Sequence, residues 1–159
     1  MFEYAVRALE RRPLTEGELK LRLTRRAAER GDVEVVLQRL RRADYLNDER
    51  TAASYARYRR EVELYGSRRV LHDLLRRQIP SALAERTVDA EFDGVDETEL
   101  IRAHLRRRYG RRAEERVADP GEAARLHRAL LRAGFHSDKI GEVLRRIAAA
   151  PEWFDGLGD

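Results

Sequence analysis

Three helix-start signals, at Thr15, Ser67 and Asp119, stand at equal intervals along the chain. Around them apolar residues recur with a helical period, and nowhere with the sustained alternation of a strand. Self-similarity at this scale points to stacked helical units, each too small to bury much alone and sharing a core with its neighbours. Leu19 and Leu23 correspond to Leu71 and Leu75 at that offset. In the third unit the same offset reaches Ala123 and His127, and the register blurs. Tyr65-Gly66-Ser67-Arg68-Arg69 is echoed by Tyr109-Gly110-Arg111-Arg112.

The periodicity predicts nine helices and no sheet. The first carries Phe2, Val6 and Leu9 and stops at Pro13. Thr15 and Glu18 form a capping box for the second, in which each side chain satisfies the other's orphan amide; its stripe is Leu19, Leu23 and Ala27. Gly31 is expected to end it, and Asp32 to cap a third with Val33, Val36, Leu37 and Leu40 inward. Asn47 caps a fourth, with Ala52, Tyr55 and Ala56 inward and Gly66 as its stop. Ser67 caps a fifth with Val70, Leu71, Leu74 and Leu75 in one stripe, and Pro80 closes it. The sixth carries Leu83, Ala84 and Val88 to about Phe92. Asp96 and Glu99 form a second box before Leu100, Ile101, His104 and Leu105. Arg111 to Ala118 is polar and reads as a loop or a frayed extension of the helix before it. Asp119-Pro120-Gly121-Glu122 is the strongest start, opening a helix with Leu126, Leu130 and Leu131 that stops at Gly134. Ser137 caps the last, with Ile140, Val143, Leu144 and Ile147. The expected architecture is therefore all-α: three tandem three-helix repeats, over 1–46, 47–94 and 95–150, forming an elongated, curved body with a tail at 151–159.

Composition narrows the function classes. Charged residues make up 39% of the chain, which suits narrow apolar stripes on much surface. No cysteine is present, so disulfides, thiol catalysis and thiolate metal sites are out, in keeping with a reducing cytoplasm. No apolar run approaches the roughly 20 residues that cross a bilayer. Met1-Phe2-Glu3-Tyr4 lacks the basic-then-apolar order of a signal peptide. His72, His104, His127 and His136 are scattered, without the paired spacing of a helical zinc site, and no glycine-rich phosphate loop follows a strand. The expectation is a binding protein and not an enzyme, with no catalytic, metal or cofactor site. The absence of a long heptad seam agrees with a monomer.

Bases outnumber acids 33 to 29, and all but Lys20 and Lys139 are arginine. Many are adjacent, including Arg68-Arg69, Arg76-Arg77, Arg106-Arg107-Arg108 and Arg111-Arg112. Adjacent residues on a helix point about 100° apart, so such pairs spread over the face beside the apolar stripe. Two readings stay open: a surface for a polyanion or an acidic groove, and a solvated face laced with ion pairs. Tyr55, Tyr58 and Tyr65 lie together in the sequence. With Tyr55 expected in the core, they offer little for stacking on unpaired bases.

The stretch Tyr45-Leu46-Asn47-Asp48-Glu49-Arg50, then Ala52, Tyr55 and Arg57, then Gly66-Ser67-Arg68-Arg69-Val70, Leu74 and Arg77-Gln78-Ile79-Pro80, resembles the central signature of the RecX family. Ala8-Leu9 with Glu18-Leu19, and Leu130-Leu131-Arg132-Ala133-Gly134-Phe135, are similar to its flanks. Asp44 and Gln78 stand where that family usually has glycine, which implies altered helix ends; Thr51 replaces an aromatic. Tyr45, Leu46, Asp48, Ala52, Tyr55, Gly66 and Leu74 read as architectural, with Tyr45 and Leu46 as packing, Asp48 as a first-turn acid and Gly66 as a helix stop. The resemblance implies modular helical proteins that bind the RecA nucleoprotein filament in its groove and suppress ATP hydrolysis and strand exchange. They act in recombination, DNA repair and the SOS response, without a cofactor, and some members bind DNA. On that basis Arg68, Arg69, Arg76 and Arg77, then Arg106, Arg107, Arg108, Arg111 and Arg112, are the expected filament or DNA contacts. The alternative is a basic helical DNA-binding protein acting without RecA.

Overall fold

The computed structural model describes residues 1–26 and 30–149. Ala27, singled out above, and the tail at 151–159 lie outside them. The described residues form ten helices. They are α1 (Phe2–Arg11), α2 (Glu16–Thr24), α3 (Arg30–Arg42), α4 (Asp48–Glu61), α5 (Ser67–Arg76), α6 (Ser81–Phe92), α7 (Glu97–Tyr109), α8 (Arg111–Glu115), α9 (Pro120–Arg132) and α10 (Ser137–Ile147). The one β feature among them is a parallel bridge between Val117 and Ala148.

Helix starts with a local side-chain cap fall where expected. Thr15 and Glu18 complete the capping box of α2. Asn47 accepts from the Arg50 amide at 2.9 Å, Asp96 from Thr98 and Glu99, and Asp119 from Glu122. The Asp96 cap is not reciprocal, because Glu99 pairs with Arg102 instead.

Other starts and stops differ. Gly31 and Asp32 lie inside the first turn of α3, so neither ends α2 nor caps α3. Helix α4 stops at Glu61, before Gly66, where the chain turns through Leu64 in the left-handed region (φ 58°). Ser67 and Ser137 are the first residues of their helices and not caps: the Arg68 amide donates to the Gly134 carbonyl, and the His136 amide to Glu97. Arg111–Glu115 is neither a loop nor an extension of α7 but a short helix of its own, set off by Gly110 (φ 84°), with Ala113 drawn into the core while Arg111 and Arg112 stay outside. The stripes are also narrower than expected, since Leu75 and Leu131 are exposed.

The chain divides into two compact units. The first comprises Met1–Ala56 and Asp73–Glu91, the second Arg57–His72 and the chain from Phe92 onward. The boundaries fall within α4 and α5 and at the last residue of α6. In the first unit Ala5, Ala8, Leu14, Leu19, Leu23, Val33, Leu37, Leu40 and Leu46 make one core, with Phe2, Tyr4, Val6, Leu9 and Val36 against it. In the second, Ile101 and Leu105 of α7 pack with Leu126 and Leu130 of α9, Ile140, Val143 and Leu144 of α10, and Phe135 from the turn between α9 and α10.

Candidate functional site

The four arginines expected on α5 do not behave alike. Arg68 is exposed in the first turn and pairs with no carboxylate among the described residues. Arg69 is half-buried, its guanidinium 5.7 Å from the Tyr65 ring centre. Both belong to the second unit, whereas Arg76 and Arg77 belong to the first. Arg76 is exposed. Arg77 is turned inward, with a side chain only 15% exposed. Its fork donates to the Glu18 carboxylate at 3.1 and 3.3 Å and to the Pro13 carbonyl at 2.8 Å, and it lies 4.8 Å over the Tyr55 ring. A guanidinium used this way is part of the fold; its planar fork suits the bidentate acceptor.

Arg77 closes a polar junction in the first unit. The Thr15 hydroxyl donates to the Arg77 carbonyl, and the Glu16 amide donates to Asp48 at 2.7 Å. Burial works against charge on Glu18, yet hydrogen bonds from Arg77 and Thr15 hold its carboxyl below the usual range. Asp48 goes the other way, raised by burial despite the Glu16 amide. Asp48 is thus more than a first-turn acid of α4: it holds the start of α2. Of the other signature residues, Leu46, Ala52 and Leu74 are buried, and Tyr55 is the half-buried seat for Arg77. Tyr45 is 53% exposed, so its ring is not a packing element. Gly66 is not a helix stop but a point of close approach, where a Cβ would overlap the Gly134 carbonyl and sit 2.7 Å from the Phe135 amide nitrogen.

The second unit holds the remaining candidate arginines. Arg106, Arg107 and Arg108 form the last turn of α7, where the helix dipole favours cations. Arg111 and Arg112 open α8, and all five are exposed. Arg107 donates to the Val62 carbonyl just past α4. Arg108, Arg111 and Arg112 pair with no carboxylate among the described residues. Beside Arg107 and Arg108 lies a pocket of about 270 Å³ walled also by Tyr58, Glu63, Tyr65 and His104. Sequence reasoning missed this grouping, since its parts lie far apart in the chain.

His104 organises that pocket. Its Nδ1 lies 2.8 Å from the Leu64 carbonyl. A carbonyl only accepts, so Nδ1 carries a proton. The ring packs edge-on against Phe135 at 5.5 Å and tilted against Tyr65 at 5.7 Å. Burial chiefly, and the charges of Arg108 and Arg107, hold its pKa below the ordinary value; the Leu64 carbonyl works against them. Glu63 is paired with Arg59, whose guanidinium lies 4.4 Å over the Tyr65 ring.

Among the described residues no group of three or more histidine or acidic side chains is placed to hold a metal ion. No helix among them is long and apolar enough to cross a membrane.

Known proteins are similar to this chain in sequence and in fold. The family model for the second three-helix domain of RecX matches residues 47–88. The regulatory protein RecX of Leptothrix cholodnii is 35% identical over 143 residues, spanning 89% of this chain and 85% of that protein. That of Halorhodospira halophila is 32% identical over 155 residues, 97% of this chain and 89% of the relative. The crystal structure of RecX from Lactobacillus salivarius superposes with a TM-score of 0.72 at 19% identity, covering 92% of this chain and 93% of that one, and so shares the fold. On the identity and coverage of these relatives, the chain belongs to the RecX family of regulatory proteins.

Proposed function

We propose that this chain is a negative regulator of RecA. In this reading it binds the groove of the RecA nucleoprotein filament and inhibits ATP hydrolysis and strand exchange, restraining recombination and repair in the cytoplasm. It works as a monomer of three three-helix repeats and without a cofactor. Family membership supports the regulatory role. The observation that carries the contact surface is the run of exposed arginines across the end of α7 and the start of α8, with Arg108, Arg111 and Arg112 unpaired among the described residues. Filament acids or the DNA backbone are the natural acceptors for such a fork-bearing surface. Arg68 and Arg76 extend the candidate set; Arg77 is engaged within the fold and drops out of it.

The test is RecA ATPase on single-stranded DNA, titrated with the protein well below filament stoichiometry, beside an unrelated ATPase that needs single strands. Inhibition confined to RecA, lost in a triple charge reversal of Arg108, Arg111 and Arg112, is the expected result. Equal inhibition of both ATPases would mean that the protein only covers DNA, which is the alternative reading. Inhibition of neither would end the regulator reading.

A further inference from the structure

We propose that the pocket between the end of α4 and the end of α7 binds one nucleotide unit, its phosphate on Arg108 and Arg107 and its base against Tyr58. Every wall residue belongs to the second unit, so the site stands within one compact body. The pocket of about 270 Å³ is near the lower limit for small-ligand sites, which suits one nucleotide and not a larger cofactor.

Three features favour this chemistry. The first is charge. Arg107 and Arg108 both face the pocket, and the one carboxylate in its wall, Glu63, is neutralised by Arg59. The local field is therefore positive.

The second is preorganisation. Arg107 is held by the Val62 carbonyl, and Tyr65 is fixed by the Arg59 guanidinium on its face and by the His104 ring. His104 is itself locked on Leu64, in a turn that needs a left-handed backbone. A wall held this way costs little ordering when a ligand arrives.

The third is the aromatic. Tyr58 is 50% exposed at the wall. An exposed ring beside two guanidinium groups is the pairing that single-stranded nucleic acid uses, with stacking for the base and charge for the phosphate. An acidic peptide would use the arginines and leave the ring idle.

The nucleotide has two possible sources, a free mononucleotide or one residue of a single strand, and the experiment separates them. Full-length protein is titrated with AMP and, separately, with a short oligothymidylate, following backbone and His104 ring signals by NMR. No RecA is present, so the outcome is independent of the filament reading. The expected result is saturable binding of at least one probe, with shifts centred on residues 58–65 and 104–108. Competition by inorganic phosphate should displace it. Arg108→Ala and Tyr58→Ala should each weaken it roughly tenfold or more, and Tyr58→Phe much less. Both positions are exposed, and unchanged thermal melts confirm that the variants fold. Saturation by AMP alone identifies a free-nucleotide site, and by the oligonucleotide alone a strand site. Binding of neither probe, or binding indifferent to Arg108→Ala and Tyr58→Ala, overturns the proposal.

Discussion

The Gly66 and Gly134 backbones touch with no room for a side chain between them: a Cβ on Gly66 would overlap the Gly134 carbonyl. The contact is held by hydrogen bonds from the Gly66 amide to the Ala133 carbonyl at 2.9 Å and from the Arg68 amide to the Gly134 carbonyl at 3.2 Å. The α9–α10 turn thus caps the start of α5 with its own carbonyls, as a side-chain cap otherwise would. The first unit repeats the device. There the α5–α6 turn sits on the start of α2, where Gly17 abuts Gln78 and Thr15 donates to the Arg77 carbonyl. Each time the second helix of one expected repeat receives the second turn of the next.

Gly66→Ala should therefore destabilise the protein by about 1–3 kcal/mol through overpacking alone. Gly134→Ala should cost more, because its φ of 91° adds left-handed strain to an overlap with the Arg69 backbone. Gly31→Ala is the control: it lies in a helix with nothing within 4 Å and should be neutral or slightly stabilising. Urea denaturation of the three variants checks the order. A Gly66→Ala protein as stable as the parent would refute the close-packed junction.

Gln78 and Asp44, which the sequence resemblance reads as standing in place of glycine, both adopt positive φ, 63° and 54°. Such a backbone costs a residue with a Cβ about 1–2 kcal/mol, and the greater freedom of glycine in the unfolded chain returns about 0.4–1 kcal/mol of that. Gln78→Gly should then gain roughly 0.5–1 kcal/mol, or a few degrees in Tm. Asp44→Gly should gain nothing, because the Asp44 carboxylate holds Arg50 at 2.6 Å and Asn47 at 3.4 Å, and aspartate tolerates this region. Differential scanning calorimetry of both variants tests the contrast. A larger gain at Asp44 than at Gln78 would contradict it.

Arg76 and Arg77 are neighbours that the fold treats oppositely. Arg77→Ala removes three hydrogen bonds and a ring contact and leaves the partly buried Glu18 with only Arg12 at 3.5 Å and the Thr15 amide at 3.0 Å. Losing such a pair costs several kcal/mol when deeply buried; this one retains some exposure, so about 2 kcal/mol is expected. Arg77→Lys should recover little, since an ammonium lacks the fork. Arg76→Ala should leave stability unchanged within about 0.5 kcal/mol. Chemical denaturation reads all three. Equal effects at the two positions would show that Arg77 is as solvated as Arg76.

These contrasts mark how far the sequence alone reaches. Thr15, Asn47, Asp96 and Asp119 were legible as caps because donor and acceptor lie within three residues. Ser67 and Ser137 look the same in sequence, yet their helix starts are satisfied by Gly134 and Glu97, far away in the chain. Arg77 reads as one more surface base until Glu18 and Pro13 are placed against it. Tyr58, Tyr65 and His104 gain meaning only when α7 returns beside the end of α4. Local chemistry is readable in one dimension; a partner tens of residues away is not, and here such partners decide which arginines are free.

His104 and His127 make stability depend on pH. Both have pKa values below the ordinary histidine value, His104 through burial and then Arg108 and Arg107, His127 through burial and then Arg128. In the unfolded chain each titrates near about 6.5. Below that pH the unfolded state binds protons that the folded state refuses, so stability falls with falling pH. Above it both states are neutral at these positions, and their contribution is fully present. Asp48, raised by burial, has the opposite slope, but a carboxyl acts mainly at lower pH. Urea midpoints at pH 7.5, 6.5 and 5.5 should therefore decline in that order, and replacing His104 and His127 together by glutamine should flatten the slope, whatever it does to the absolute midpoint. Midpoints that hold steady or rise toward pH 5.5 in the parent protein would show that the two rings accept protons without leaving the fold.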